Sequence, residues 1–315
     1  MLYVEMYGRM GNQLFRYAMA RYIQLNYYPN ENLVLSFNQI DELGKRDETF
    51  YNAIDDLKIK SHSIYGKKGK VSFNETNLIQ KLILVPYYLG LKRIRISDMN
   101  KVYSYEKPWI NLLNFIGVYL VRVGVFPFKK SRFRNKIISG TFESPVYLDQ
   151  IRDVLLDEFT PKYPLLEKNQ NLFEKINKTS SICLTIRRGD FESDEKIKSL
   201  HSICDKNYFD TSIAIIKNKV KDPVFFVFSD DIEWAKENIY TGVETYFEDG
   251  TDPIWEKLRL MSACKHFIIS NSTFSWWSQW LSQNKDKIVV SPSRWFNNDY
   301  ESPLIDRKNW ILIKV

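Results

Sequence analysis

The sequence predicts an α/β fold with parallel, doubly wound sheets, divided between two domains. At roughly 100–200 residues per domain, the 315 residues correspond to about two domains, and 44% of them are hydrophobic, enough for real cores. From Ser181 onward, short β-branched or aromatic runs alternate with helical stretches. That alternation is typical of βαβ units in a parallel sheet.

The second half contains five predicted strands and four predicted helices. The strands are expected at Ile182–Ile186, Val224–Phe228, Val243–Phe247, Phe267–Ile269 and Ile288–Val290; the helices are expected around Tyr208–Lys217, Ile232–Ile239, Pro253–Cys264 and Phe274–Ser282. Ligands of such sheets bind beyond the carboxyl ends of the strands. The residues directly after each strand are therefore the candidates for function.

The first half begins with the same alternation of strand and helix, but its hydrophobic pattern has no clear period after residue 37. A strand at Leu2–Tyr7, a helix from about Asn12 to Tyr27 and a strand at Leu33–Phe37 are expected. Residues 44–69 are predicted to be rich in loops, and residues 78–124 are predicted to be helical. Two prolines at 161 and 164 indicate the boundary, so the predicted domains are 1–162 and 163–315.

Composition excludes several classes of protein. The net charge of +7 permits nucleic-acid binding, but the basic residues are scattered and no stacking motif accompanies them, so no nucleic-acid partner is expected. The three cysteines lack a C-x-x-C spacing, which argues against a disulfide framework and fits a reducing compartment. The N-terminus has no signal-peptide core, so a cytoplasmic location is expected.

Residues 78–130 mix apolar residues with lysines and arginines. No uninterrupted apolar run in the sequence reaches the roughly 18–20 residues of a spanning helix. Two interpretations fit this stretch: packed helices, or peripheral contact with the anionic inner face of a membrane.

The segment Leu184–Phe191 is the first candidate for chemistry. Arg187 and Arg188 follow a predicted strand, and adjacent guanidiniums can make bidentate hydrogen bonds to a phosphate. Gly189 allows the backbone to turn close to a ligand. The alternative is a structural ion pair between an arginine and Asp190.

Two further segments also follow predicted strands. Ser270–Trp277 brings hydroxyls and backbone N–H groups to a helix N-terminus, which is a natural anion site; the alternative is an N-cap above a packed tryptophan pair. In Phe228–Asp231, a carboxylate suits the paired N–H donors of a guanine edge; the alternative is again an N-cap.

The fourth segment, Tyr7–Phe15, forms a tight strand-to-helix turn that fits neither common phosphate-binding glycine pattern. No two aspartates in the chain are separated by one residue, and the three histidines lack the spacing of metal ligands. No metal or other cofactor is therefore expected. In a transferase, arginine would have to supply the positive charge of the missing metal.

Together these segments resemble the alpha-1,2-fucosyltransferases of glycosyltransferase family 11. The family patterns G-G-L-G-N-Q-M/L-F, G-Y-F/W-Q-S, H-V-R-R-G-D-Y, F-S-D-D and C-K-H-x-I-I-S/A-N-S-S/T-F-S-W-W correspond to Gly8–Phe15, Gly140–Ser144, Thr185–Phe191, Phe228–Asp231 and Cys264–Trp277. The resemblance runs from about residue 3 to 297, and its last motif is highly specific.

The resemblance implies a two-domain GT-B-type glycosyltransferase with a Rossmann-like C-terminal donor domain and a mainly acceptor-side N-terminal domain. It implies metal-independent, inverting transfer of L-fucose from GDP-fucose to the 2-OH of a terminal galactoside on an oligosaccharide or surface glycan. The implied residues are Arg187 on the donor pyrophosphate, with Arg188 in support; Asn12 and Gln13 on the donor phosphates or fucose; Asp230 on the guanine; and Ser272, Thr273 and Ser275 on the phosphates.

The chain departs from the family patterns at three positions. Thr185 replaces the usual His, Glu143 replaces the usual Gln, and Arg9 replaces the second glycine of Gly-Gly. Arg9 resembles an arginine of the protein O-fucosyltransferases that lies near the donor, so it is added as a donor-binding candidate.

The base that accepts the acceptor proton is left open among five carboxylates, of which Asp190 ranks first because the motif fixes it. These are Asp190, Glu192, Asp194, Glu195 and Glu143. Two other functions also stay open: a transferase for another GDP-sugar, and a catalytically silent GDP-sugar-binding scaffold.

Overall fold

A computed structural model describes the backbone of residues 1–315 and every side chain except those of Asp190, Ser193 and Lys196. The chain forms two compact units, Met1–Phe159 (unit 1) and Thr160–Val315 (unit 2), and each is built on one parallel sheet. The predicted α/β class with parallel sheets is confirmed.

Unit 1 contains a five-stranded sheet. Its strands are β1 (Leu2–Glu5), β2 (Leu33–Ser36), β3 (Ser63–Ile64), β4 (Val118–Val121) and β5 (Lys136–Gly140). The spatial order is β3-β2-β1-β5-β4, and every pair is parallel. Its helices are α1 (Met10–Tyr27), α2 (Asn38–Gly44), α3 (Val71–Asn74), α4 (Leu78–Leu91), α5 (Met99–Glu106), α6 (Ile110–Phe115), α7 (Pro145–Leu148) and α8 (Arg152–Glu158), with 3₁₀ turns at Ala53–Asp56 and Asp149–Ile151.

Unit 2 contains a six-stranded sheet. Its strands are β6 (Ser180–Ile186), β7 (Pro223–Ser229), β8 (Thr245–Phe247), β9 (His266–Ile268), β10 (Val289–Pro292) and β11 (Ile311–Ile313). The order is β11-β10-β9-β6-β7-β8, again all parallel. Its helices are α9 (Gln170–Lys178), α10 (Gly189–Ser193), α11 (Glu195–His201), α12 (Lys206–Lys219), α13 (Ile232–Asn238), α14 (Ile254–Ala263) and α15 (Thr273–Leu281), with a 3₁₀ turn at Glu167–Asn169.

The central strands of unit 2 are buried along almost their whole length, and most of their residues are apolar. In β7, all residues from Val224 to Ser229 are buried, and in β6 all residues from Ser181 to Ile186 are buried. Strands covered by helices on both faces read as continuous apolar runs rather than alternating ones. Because the strands cannot slip without exposing apolar residues, their carboxyl ends, and the segments that follow them, are fixed in position.

The strands predicted in unit 2 and the first strand, helix and second strand of unit 1 are observed within a few residues of their expected bounds. The prediction that residues 78–124 are helical throughout is wrong at its end, where β4 follows α6 directly. Periodicity cannot separate a short, buried, continuously apolar strand from a helix. For the same reason β5 and the three-residue β11 were not predicted.

Cys183, Cys204 and Cys264 are free thiols. Within the described part of the chain, no helix combines the length and apolar character needed to cross a membrane. Among the described side chains, His, Cys, Asp and Glu form no group of three or more that could hold a metal ion.

A buried ion pair joins the first and last helices of unit 1. The Glu158 carboxylate of α8 accepts hydrogen bonds from Arg21 of α1, at 2.7 Å from Nη2 and 2.9 Å from Nε. The Tyr17 hydroxyl donates to the same carboxylate at 2.7 Å. The Arg21 and Glu158 side chains are only 4% and 9% exposed, so neither charge can be satisfied by water if the other is removed.

We expect Glu158→Leu to lower the free energy of unfolding by about 3–5 kcal/mol, because it leaves a buried guanidinium unpaired. Urea denaturation followed by circular dichroism measures this. The control is Glu42→Leu, which removes the exposed partner of Lys45 and should change stability little. Equal losses of unfolding free energy in the two variants would contradict the conclusion that the Arg21–Glu158 pair is buried and stabilising.

Candidate active site

The candidate segments that follow β6 and β7 lie side by side. The two strands pair through seven registered residues and end with Ile186 opposite Ser229. Arg187 and Asp230 follow, and Nη1 of Arg187 lies 2.8 Å from Oδ2 of Asp230. Their side chains are 24% and 25% exposed, so this ion pair lies at the carboxyl edge of the sheet and is still accessible.

The Asp230 carboxylate also positions the backbone of the arginine segment. The Arg188 N–H donates to Oδ1 of Asp230 at 2.8 Å. A Cβ on Gly189 would lie 2.5 Å from Oδ2, so any larger residue would push against the carboxylate. Both oxygens of Asp230 therefore face the arginine segment, whereas the sequence predicted that this carboxylate binds guanine.

Arg188 is held by α13. Its guanidinium carbon lies 4.0 Å from the centroid of the Trp234 ring, and its Nε lies 3.4 Å from Oδ2 of Asp231. Asp231 is the N-cap of α13, since its carboxylate accepts the Trp234 N–H at 3.3 Å. The N-cap alternative thus applies to the second aspartate of the pair. Sequence analysis missed Trp234. Its position in the first turn after the capping aspartate could have indicated that it lies close to the arginine segment.

The first residues of the segment 270–277 form hydrogen bonds with the neighbouring strand and with two other backbone carbonyls. The buried Ser270 hydroxyl donates to the Thr185 carbonyl at 2.8 Å, and the Ser270 N–H donates to the Thr185 hydroxyl at 3.3 Å. Thr185 thus bridges β6 and the end of β9. The amide of Asn271 donates to the carbonyls of His201 and Trp295 at 2.8 and 3.0 Å. These polar residues therefore have structural roles.

The next residues begin α15. Ser272 is the N-cap and makes no side-chain capping hydrogen bond, and both Ser272 and Thr273 are half-buried. Because β9 neighbours β6, this helix N-terminus lies at the same sheet edge as the arginines. Backbone N–H groups and the helix dipole favour an anion there. Ser275, also predicted to contact phosphate, is buried, with 4% of its surface exposed.

The acids that follow the arginines differ in their surroundings. Glu192 accepts a hydrogen bond from Ser202 and pairs with Lys198 at 3.2 Å, and these contacts lower the pKa of the Glu192 carboxyl. Asp194 accepts the Ile197 N–H at 3.2 Å. Glu195 is exposed. Asp190, the first-ranked base, lies outside the described side chains.

In unit 1, the turn after β1 is tightly built. Gly8 has φ +78°, and a Cβ there would lie 2.5 Å from the Asn12 amide nitrogen. Arg9 pairs with Asp47 at 3.0 Å, donates to the Thr49 hydroxyl at 2.8 Å, and lies over the Phe50 ring. The Arg9 guanidinium is therefore fixed by the 47–50 loop, and its side chain is one-third exposed.

Gln13 was predicted to face the donor but is fully buried. Its amide nitrogen donates to the carbonyls of Gly8 and Tyr51, at 2.9 and 2.7 Å, and its amide oxygen accepts the Ala53 N–H at 3.0 Å. The side chain therefore builds the turn and its neighbouring loop. Asn12, one residue earlier, is only half-buried.

Glu143 follows β5 on a strained turn. Phe142 is buried and has φ +55°, a conformation that bulky residues rarely adopt. Burial raises the pKa of the Glu143 carboxyl to about 7, although the nearby Arg16 opposes the shift. Burial likewise lowers the pKa of Arg16 to about 10. A half-buried carboxyl and a buried guanidinium thus lie near each other at the carboxyl edge of this sheet.

Arg294 is a cation that sequence analysis missed. It lies two residues after β10, the neighbour of β9, and its buried Nε has no hydrogen-bond partner among the described residues. Its position after a strand end was the available signal. It adds a third guanidinium beyond the carboxyl ends of the unit 2 strands.

The chain consists of two α/β units, each built on a parallel sheet. This architecture places the protein in the class with a GT-B-type fold. The solved structure of fucosyltransferase NodZ from Bradyrhizobium has this fold; it superimposes with a TM-score of 0.50 at 11% identity, over 88% of this chain and 91% of that one.

The family model of glycosyl transferase family 11 matches residues 1–314. The chain therefore belongs to glycosyl transferase family 11, and the predicted family is confirmed. An alpha-1,2-colitosyltransferase from Escherichia coli is 34% identical over 93% of this chain and 91% of the relative. The human galactoside alpha-(1,2)-fucosyltransferase 1 is 27% identical over 46% of this chain and 42% of its own length.

We expect Asp230→Asn to weaken the binding of GDP and of inosine diphosphate (IDP) by the same factor, about tenfold, because the variant loosens both arginines. IDP lacks the 2-amino group of guanine. Isothermal titration with each nucleotide measures the two affinities. If Asp230 instead binds the guanine edge, the variant will lose the preference for GDP over IDP.

Proposed function

We propose that the protein transfers L-fucose from GDP-fucose to the 2-OH of a terminal galactoside on an oligosaccharide or surface glycan, forming an alpha-1,2 linkage with inversion and without a metal. The observation that carries this proposal is the arginine pair after β6, held by Asp230 beside the N-terminus of α15, in a chain of this family. We propose that unit 2 binds the donor and that unit 1 mainly binds the acceptor.

The proposed chemistry uses positive charge at the leaving group. The bond between fucose C1 and the β-phosphate oxygen breaks, the electron pair stays on GDP, and the acceptor 2-OH attacks C1 from the opposite face. Arg187 would stabilise the charge that develops on the β-phosphate, and Arg188 would hold the pyrophosphate. Ser272, Thr273 and the first N–H groups of α15 would complete the anion site. Arg9 and Asn12 remain proposed donor contacts.

Two sugars compete as the transferred group. The motifs resemble those of fucosyltransferases, and the human relative is named as one. The alpha-1,2-colitosyltransferase covers almost the whole chain at higher identity, and this favours colitose as the second candidate. Colitose is fucose without its 3-hydroxyl, so a single hydrogen-bonding group separates the two donors.

The test of the proposal is donor binding and turnover in one panel. GDP-fucose, GDP-colitose, GDP-mannose and UDP-galactose are compared by thermal shift and by GDP or UDP release, with and without EDTA and with a galactose-terminated acceptor. We expect stabilisation and turnover with GDP-fucose, unaffected by EDTA. Preference for GDP-colitose would mean that the transferred sugar is colitose rather than fucose. Binding without turnover would indicate a silent scaffold.

In the same assay, Arg187→Ala should lower turnover by roughly 10²–10³-fold, because it removes the cation at the leaving group. Arg187→Lys should restore little, because an ammonium cannot make the bidentate contact. Lys198→Ala, which removes an exposed cation paired with Glu192, is the control and should retain activity. Near-normal turnover of Arg187→Lys would contradict the bidentate role.

We propose Asp190 as the base and expect Asp190→Asn to lower turnover by roughly 10²–10⁴-fold. Glu143 has a raised pKa, but the family pattern has Gln at this position, and Gln cannot accept a proton. Glu143→Gln should therefore keep turnover within about threefold of the wild type, far less than the loss of a catalytic base. Initial rates with saturating donor test the pair. A large loss of turnover in Glu143→Gln, with near-normal turnover in Asp190→Asn, would make Glu143 the base of this enzyme.

A further inference from the structure

Helix α4 has an unusual outer face. All of its exposed residues are apolar: Leu78, Ile79, Leu82, Val85, Pro86 and Leu89. Leu78, Leu82 and Leu89 are 73%, 67% and 56% exposed. Surface helices of soluble proteins normally turn polar residues outward and apolar residues inward. Here the only charged residue of the helix, Lys81, is half-buried.

The opposite face of α4 is packed into the core. Rotating the helix to bury its outer apolar residues would therefore expose other apolar residues. Leu84, Tyr87 and Leu91 are buried in the core of unit 1. The helix begins with a capping box between Asn77 and Gln80. The Gln80 amide also donates to the Ile116 carbonyl at 2.8 Å, which joins the start of α4 to the end of α6.

Neighbouring segments extend this apolar surface. Phe115, the last residue of α6, is 70% exposed and lies beside the residue that Gln80 contacts. Phe73 of α3 is 66% exposed, and Lys81 lies over its ring at 5.1 Å. Ile96, five residues after α4, is 71% exposed. We call the outer face of α4 together with Phe73 and Phe115 the α4 face.

The chain around the α4 face is strongly basic. Residues 67–134 contain 14 lysines and arginines and three acids, a net charge of +11, whereas the rest of the chain carries −4. Each acid already pairs with a cation of the same segment. Twelve of the 14 cations are exposed: Lys67, Lys68, Lys70, Lys92, Arg93, Arg95, Lys101, Lys107, Lys129, Lys130, Arg132 and Arg134.

We propose that the α4 face binds the surface of an anionic lipid bilayer. Its leucines and aromatic rings would enter the boundary between headgroups and acyl chains, and the surrounding lysines and arginines would contact lipid phosphates. Charge selects this occupant over a second copy of the chain, because two such faces would repel each other. This binding does not depend on the transfer reaction proposed above.

Vesicle flotation tests the proposal on the full chain. We expect the protein to float with vesicles of phosphatidylglycerol and phosphatidylethanolamine, much less with pure phosphatidylcholine, and less in 0.5 M salt than at low salt. Leu82→Gln/Leu89→Gln and Lys92→Glu/Arg93→Glu should each reduce the floated fraction by at least tenfold. Tyr240→Gln/Val243→Gln, which alters exposed apolar residues of unit 2, is the matched control and should float like the wild type.

Thermal unfolding and the GDP-fucose thermal shift are recorded for each variant, so that loss of folding or of donor binding is distinguished from loss of membrane binding. Failure of the wild type to float with anionic vesicles would overturn the proposal. So would equal flotation of the Leu82→Gln/Leu89→Gln variant and the wild type. Sedimentation showing a dimer that this variant abolishes would assign the α4 face to self-association instead.

Discussion

The arrangement of the candidate site depends on the Asp230 carboxylate. One oxygen holds the Arg187 guanidinium and the other holds the Arg188 backbone, in a space that Gly189 leaves free. The carboxylate reaches this position because β6 and β7 end in register. A guanidinium held in this way is oriented before any ligand arrives, and preorganised charge is more effective than charge that must reorient.

The sequence predicted five of the six strands of unit 2 and the four helices α12 to α15, because these strands are apolar runs separated by clear helical segments. It did not predict β11 or the helices α9, α10 and α11. It also predicted that function lies after the strands, since parallel sheets collect ligands at their carboxyl edge. It could not predict β4 or β5, whose short buried runs have no distinguishing period. Strand pairing is a long-range property, so the partners of Asp230 could not be inferred from its neighbours in sequence.

Individual roles within the motifs were harder to predict than the motifs themselves. Gln13 was predicted to contact the donor, and Asn271 lies within the segment considered as an anion site, yet both amides are buried and bonded to backbone carbonyls. A motif contains every residue that a site requires. Some of these residues contact the ligand, and others hold the turn that positions those contacts. Only burial and hydrogen-bond partners separate these two requirements. Two residues that no motif singled out also lie after strand ends of unit 2. Trp234 packs against the Arg188 guanidinium, and Arg294 follows β10 with a buried Nε that has no hydrogen-bond partner among the described residues.

The uneven charge of the chain has a consequence for how the protein would meet its acceptor. Attraction between a basic surface and anionic lipids acts over about one Debye length, roughly 8 Å at physiological ionic strength, before any apolar contact forms. An enzyme that is guided in this way and then held reversibly would search for any acceptor anchored at the membrane by diffusion in two dimensions. Its effective acceptor concentration would then be set by the density of acceptors on the membrane, and ionic strength would control how long each search lasts.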